Sequence, residues 1–208
     1  VLLDSDFSKM PEVVLEGRRV VNNIQTSASL FLVKNIFSIL TTVFTLIAAN
    51  LYPLYPTQLS LLGAFTIGTP AFVLALQPNK ELIRGDFLVN VILKALPAGL
   101  ADFIMLAAIS IHGNILGMSN EQISTVAIVI LLFIGLAALV RICRPFDGIR
   151  ILLCLAMAAG IVICVLNFKG IFAITTVNMI MLRMIIMYAL IAGVLFCIMC
   201  KSVGGWID

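Results

Sequence analysis

Leu59 to Asn79 reads LSLLGAFTIGTPAFVLALQPN, an apolar span with Gly68-Thr69-Pro70 inside it and Pro78 near its end. A helix that only fills lipid has no need of that interruption. Pro70 removes a backbone donor and crowds the preceding turn. Gly68 offers no side chain to pack and lets the chain bend. Thr66 and Thr69 bring hydroxyls to the same level. At membrane depth a broken helix is tolerated where protein or a polar cavity satisfies the freed carbonyls. Transporters use such breaks to hold ions. The competing reading is a proline kink without cargo, since Gly and Pro are common in membrane helices. Both readings stand on this span alone.

Working outward, 62% of the residues are hydrophobic, 11% are charged, and the mean hydropathy is +1.19. Soluble domains carry about 25% charged residues, so the composition describes an integral membrane chain. The net charge of +3 comes from basic residues in short loops and reports orientation rather than nucleic-acid binding. Cys143, Cys154, Cys164, Cys197 and Cys200 lie in or beside apolar segments and read as small hydrophobes in a reduced setting. Cys197 and Cys200 have CxxC spacing but no second ligand pair. His112 reads as a lone polar loop residue. The first residues show no signal-peptide pattern and no Met, so the chain is expected to be cut from something longer. Trp206 suits an interfacial position.

At the N-terminus, Val1-Leu2-Leu3 reads as the end of a strand and Asp4-Ser5-Asp6 as a turn. Ser8 suits a helix cap and Pro11 a first turn. Six spans follow, each near the roughly 20 residues needed to cross: Ala28–Ala49, Gln58–Leu76, Leu88–Ile111, Ile123–Val140, Ile149–Leu166 and Thr175–Cys200. Lys9, Arg18, Arg19, Lys80, Arg84, Arg141, Arg144, Arg150 and Lys201 then share one side, against Lys169 on the other. The positive-inside rule puts that side, with both termini, in the cytoplasm. The expectation is therefore an all-α, multi-pass bundle of six transmembrane helices in the cell membrane, with a short cytoplasmic N-terminal segment.

Lys34, Lys94, Arg183 and Asp102 remain inside spans, where ionisable groups are costly and usually face the bundle interior or a cavity. Lys94 and Asp102 lie about 12 Å apart along one helix, on one face but out of reach of each other. Lys94 and Arg183 can each snorkel to a surface. Asp102 reads either as part of an ion path or as a structural partner of Arg183 or a backbone site. In the first span Asn35, Ser38, Thr42 and Thr45 recur at spacings of three and four. A face of oxygens opposite the broken span suits a cation cavity. The alternative is interhelical hydrogen bonding.

Leu2-Leu3-Asp4-Ser5-Asp6-Phe7-Ser8 and Glu16-Gly17-Arg18-Arg19-Val20-Val21-Asn22-Asn23 resemble the end of the phosphorylation domain of a P-type cation-transporting ATPase, leading into its fifth membrane helix. Phe65-Thr66-Ile67-Gly68-Thr69-Pro70 and Leu76-Gln77-Pro78-Asn79 resemble the sixth helix of bacterial members related to calcium and magnesium pumps. The resemblance covers essentially the whole chain. It implies three parts: the end of the phosphorylation domain and stalk (1–25), core transport helices (26–79) and a C-terminal four-helix membrane domain (80–208). It implies an ATP-driven pump, calcium export foremost, with lipid, the transported cation and the N-terminal remainder of the pump as partners. ATP and Mg2+ are implied for the full-length protein. The Asp-Lys-Thr-Gly-Thr phosphorylation motif is not in these 208 residues, so no catalytic or cofactor residue is assigned in this segment.

The cation ligands implied are Asn35, Ser38, Thr66, Gly68 through its freed carbonyls, Thr69 and Asp102. Two departures bear on the ion. Calcium pumps of the best-known type have a carboxylate where Ile67 stands and a glutamate near Ser38, and calcium wants six to eight oxygens. Magnesium, a monovalent cation and a polar lipid headgroup therefore stay open. The alternatives to a pump segment are an independent secondary transporter or channel-like subunit, and a noncatalytic scaffold.

Overall fold

The computed structural model describes residues 9–48, 52–77, 79, 82, 85–144 and 146–204. Among them all regular structure is helical: α1 (Met10–Ala48), α2 (Pro56–Gly63), a π-helical turn (Ala64–Gly68), α3 (Thr69–Ala75), α4 (Phe87–Ile115), α5 (Asn120–Ile142), α6 (Gly148–Asn167) and α7 (Met179–Gly204). Counting α2 to α3 as one, six of these spans are long and apolar enough to cross a membrane. The fold is the all-α polytopic bundle the sequence predicts. Val1–Leu3, Ser8, Pro78, Lys80, Arg84 and Trp206 lie outside the described residues.

Pro11 and Glu12 occupy the first turn of α1, where a missing N–H and a negative charge are both favourable. No further proline interrupts the helix, so its 39 residues run for about 58 Å. Only half of that length is needed to cross the apolar layer. One stripe of α1, through Ser29, Leu30, Val33, Phe37 and Thr41, is buried. It packs chiefly on α4. In lipid there is no hydrophobic gain from helix association, so close packing and hydrogen bonds must hold the bundle together. Gly99 makes this possible: a Cβ there would sit 2.9 Å from Ile36 Cβ and 3.1 Å from the Val33 carbonyl. Phe44 adds an edge-to-face contact with Phe103, 6.1 Å between ring centres. Helix α5 is the central element, buried along most of its length, whereas α6 buries only Leu153, Met157 and Ile161.

Polar side chains tie the two ends of the bundle. At one end Asn23 Nδ2 donates to the carbonyls of Ala75 (2.8 Å) and Gln77 (2.9 Å), and Asn22 Nδ2 donates to that of Asn79 (3.3 Å). Arg150 Nε donates to Gln77 Oε1 at 2.8 Å, and Arg141 Nη1 to Cys200 Sγ at 2.8 Å. At the other end the fully buried Gln58 donates to Ser124 Oγ (3.3 Å) and the Ala173 carbonyl (3.1 Å). The Thr175 backbone N–H there donates to Thr125 Oγ1 at 3.0 Å. Alternate connections therefore lie at opposite ends, and Arg141, Arg150 and Lys201 share one of them. Cys143 at the basic end is buried. Burial pushes its thiol up to about 12, with Cys154 adding to the rise and Arg150 opposing it.

Three expectations are corrected. His112 is not a loop residue: α4 continues to Ile115, and His112 Nδ1 lies 3.1 Å from the Tyr188 hydroxyl. The helix passes through Gly113 because the α4–α5 hairpin closes there, with Ile123 Cγ1 2.5 Å from where a Cβ would stand. The last span starts at Met179 rather than Thr175, since Thr175 is held by Thr125 and Asn178 Oδ1 accepts from the Met181 N–H at 2.8 Å. Asp102 does not pair with Arg183. The arginine is exposed on α7, whereas Asp102 is buried on the face of α4 turned to α1 and α5.

Asn23→Ala removes the donor that satisfies two carbonyls at the end of α3. Thermal unfolding in detergent should show a loss of about 1–3 kcal/mol. Thr42→Ala, on the exposed side of α1, should change stability by less than about 0.5 kcal/mol.

Candidate cation site

The span 56–75 does not unwind at Gly68-Thr69-Pro70. Gly68 (φ −63°, ψ −58°) and Thr69 (φ −62°, ψ −46°) keep right-handed helical angles. The helix instead widens by one residue, with the Thr69 N–H reaching back five residues to the Ala64 carbonyl. The cause is Pro70, which has no N–H to offer the Thr66 carbonyl and whose ring would press on it. A π-turn relieves that crowding, and such turns are frequent at functional sites. Pro70 itself is buried, as are Thr66 and Ile67, while Gly68 and Thr69 are exposed.

Two glycines receive the widened turn. A Cβ on Gly135 of α5 would lie 2.6 Å from Thr66 Cγ2, and one on Gly160 of α6 would clash with Phe65 Cε1. The Thr66 hydroxyl donates to the Leu62 carbonyl at 2.7 Å. This fixes its rotamer and leaves its lone pairs free to accept.

Between the π-turn, α1, α4 and α5 lies a cavity of about 20 Å³, room for one water-sized occupant. Its polar lining is Lys34, Thr66 and Asp102, set among Leu30, Val33, Phe37, Leu62 and Ile67. Lys34 Nζ lies 3.9 Å from the position a Gly63 Cβ would take. Asp102 is 3% exposed, and its Oδ1 has no hydrogen-bond partner among the described residues. Buried polar atoms are nearly always paired. An unpaired carboxylate oxygen at membrane depth needs a cation or a donor.

The six expected ligands are thus distributed unevenly. Thr66 and Asp102 meet in one cavity. Ser38 is half-buried on α1, and its carbonyl accepts from Thr42 Oγ1 at 2.8 Å. Asn35, Gly68 and Thr69 are exposed and do not line the cavity. Lys34, Thr41 and Gly135 were not singled out as site residues by sequence reasoning. Thr41 is fully buried. The available signal was the Leu30–Val33–Phe37–Thr41 stripe, which places Lys34 at the cavity's edge.

The polar inventory is one carboxylate, one hydroxyl and one ammonium. It is short of the six to eight oxygens calcium takes. Among the described residues no group of three or more His, Cys, Asp or Glu side chains converges.

No family model matches the chain. It is 36% identical over 168 residues to the "Probable cation-transporting ATPase exp7" of Streptococcus pneumoniae, covering 77% of this chain and 22% of that protein. It is 33% identical over 195 residues to the calcium-transporting ATPase CtpE of Mycolicibacterium smegmatis, covering 86% of this chain and 25% of that one. The CtpE of Mycobacterium bovis is 37% identical over 177 residues, with 78% and 22% covered. Over most of its length the chain is therefore similar in sequence to bacterial cation-transporting ATPases. It spans about a quarter of the length of the pumps it matches.

Gly135→Ala should overpack the contact with Thr66 and lower unfolding stability by about 1–3 kcal/mol. Adding Thr66→Ser removes the nearest methyl and should recover part of that loss in the same melting experiment.

Proposed function

We propose that this bundle is the cation-transport membrane segment of a P-type ATPase, with Asp102 and Thr66 as cation ligands inside it. The observation that carries the reading is the buried Asp102 oxygen, unpartnered among the described residues, in a cavity bordered by the π-turn. A carboxylate supplies charge, the threonine hydroxyl supplies a lone pair, and the small cavity admits one partly dehydrated ion. Lys34 borders the same cavity.

The transported ion is proposed to be calcium, on the names of the mycobacterial relatives and the resemblance of the 65–79 stretch. The cavity's few oxygens require further ligands. Ser38, Asn35 and Thr69 lie on half-buried or exposed faces of α1 and α3, where another part of the pump would complete the cage. ATP and Mg2+ would act on domains of the pump distinct from this bundle. Helix α1, uninterrupted over 39 residues, is a rigid element through which a distant phosphorylation step can move the site. The basic end of the bundle is assigned to the cytoplasm by the positive-inside rule.

The test is ion-stimulated ATPase activity of the intact pump. Asp102→Asn and Thr66→Ala should each raise the calcium concentration for half-maximal activity by about tenfold or more, equivalent to about 1.4 kcal/mol of binding. Thr42→Ala, whose hydroxyl is bonded back to its own helix, should leave it unchanged. Unaltered calcium dependence in both ligand variants would refute the assignment.

A further inference from the structure

A second polar cavity, of about 220 Å³, opens at the basic end of the bundle between α1, α4 and α5. Thr26, Ser29, Lys94, Arg141 and Arg144 line it, with Ile142 as its apolar wall. None of these residues lines the Asp102 cavity. Three cationic side chains converge here, and no acidic residue lines the cavity among the described residues. Arg141 is half-buried, and its Nη1 donates to the neutral sulfur of Cys200 at 2.8 Å. That contact orients the guanidinium without compensating its charge. Arg144 stacks over Phe146, 6.0 Å from the ring centre. Among the described residues neither arginine forms an ion pair.

A half-buried guanidinium without a counter-charge is unfavourable, and its remaining donors suit a tetrahedral oxyanion. The level of the cavity narrows the anion. The apolar run of α5 ends at Ile142, and Arg141 stands in its last turn. That is the depth at which a membrane places lipid phosphates. Basic pockets between transmembrane helices at such a boundary hold anionic headgroups.

We propose that this cavity binds the phosphate of an anionic phospholipid, with Arg141 and Arg144 on its oxygens and Lys94 as a point charge. Thr26 and Ser29 donate to the carbonyls of Asn22 and Gln25 (2.9 and 2.8 Å), so they border the headgroup as acceptors for glycerol-type hydroxyls. A bound lipid would then clamp α1 to α4 and α5, the helices that also form the cation cavity.

The intact protein, delipidated in neutral detergent, is titrated with phosphatidylglycerol or phosphatidylcholine and read by native mass spectrometry. Phosphatidylglycerol should bind at least about fivefold more tightly than phosphatidylcholine. Arg144→Gln and Lys94→Gln should each weaken it by about fivefold. Both side chains are exposed, so the fold should survive, and an unchanged melting temperature checks this. Millimolar inorganic phosphate should not displace the lipid. Equal retention of the two lipids, no loss in either variant, or full displacement by inorganic phosphate would each overturn the proposal.

Discussion

The missing N–H of Pro70 governs the centre of this bundle. A proline inside a packed helix leaves one carbonyl without its donor and crowds the turn before it. In water the chain can open there, but in lipid an opened backbone has nothing to bond to. The helix answers by widening into a π-turn, so that the Thr69 N–H still finds a carbonyl, that of Ala64. The widened turn swells outward, and only glycine fits opposite it, at Gly135 and Gly160. Thr66 is thereby pressed against α5 and brought to the cavity that Asp102 enters from α4.

The rest of the fold holds this turn at both ends. Gln58 anchors the start of the broken helix to α5 and to the 168–178 connection. Asn23 and Arg150 anchor its end to α1 and α6. Each anchor is a polar side chain reaching a carbonyl, amide or hydroxyl oxygen across a helix boundary. Such bonds are modest individually, but in a bundle without hydrophobic drive between helices they fix register. A push along α1 would therefore reach the end of α3 through Asn23 and the cavity through Lys34.

The number and order of spans were legible because about 20 apolar residues is a hard length requirement. The break at Gly68-Thr69-Pro70 was legible because proline chemistry is local. Its form was not: whether a helix unwinds or widens depends on what packs against it, and Gly135 is 65 residues away. The facing of α1 within this bundle was not legible either. In a soluble helix a polar stripe contrasts with an apolar one. In lipid both sides are apolar, so the Asn35–Ser38–Thr42–Thr45 pattern gave no signal about which side is inside. The buried stripe is Leu30–Val33–Phe37–Thr41 instead. Asp102 stood out correctly as the acid within a span, yet its neighbours follow only from the tertiary arrangement.

The central claim is that a cation meets the Asp102 carboxylate beside the π-turn. Infrared difference spectroscopy of the intact protein, with and without calcium, addresses that carboxylate directly. Calcium should shift a carboxylate band in the wild type, and that band should vanish from the difference spectrum of Asp102→Asn. Difference spectra that are identical for the two proteins would contradict the account.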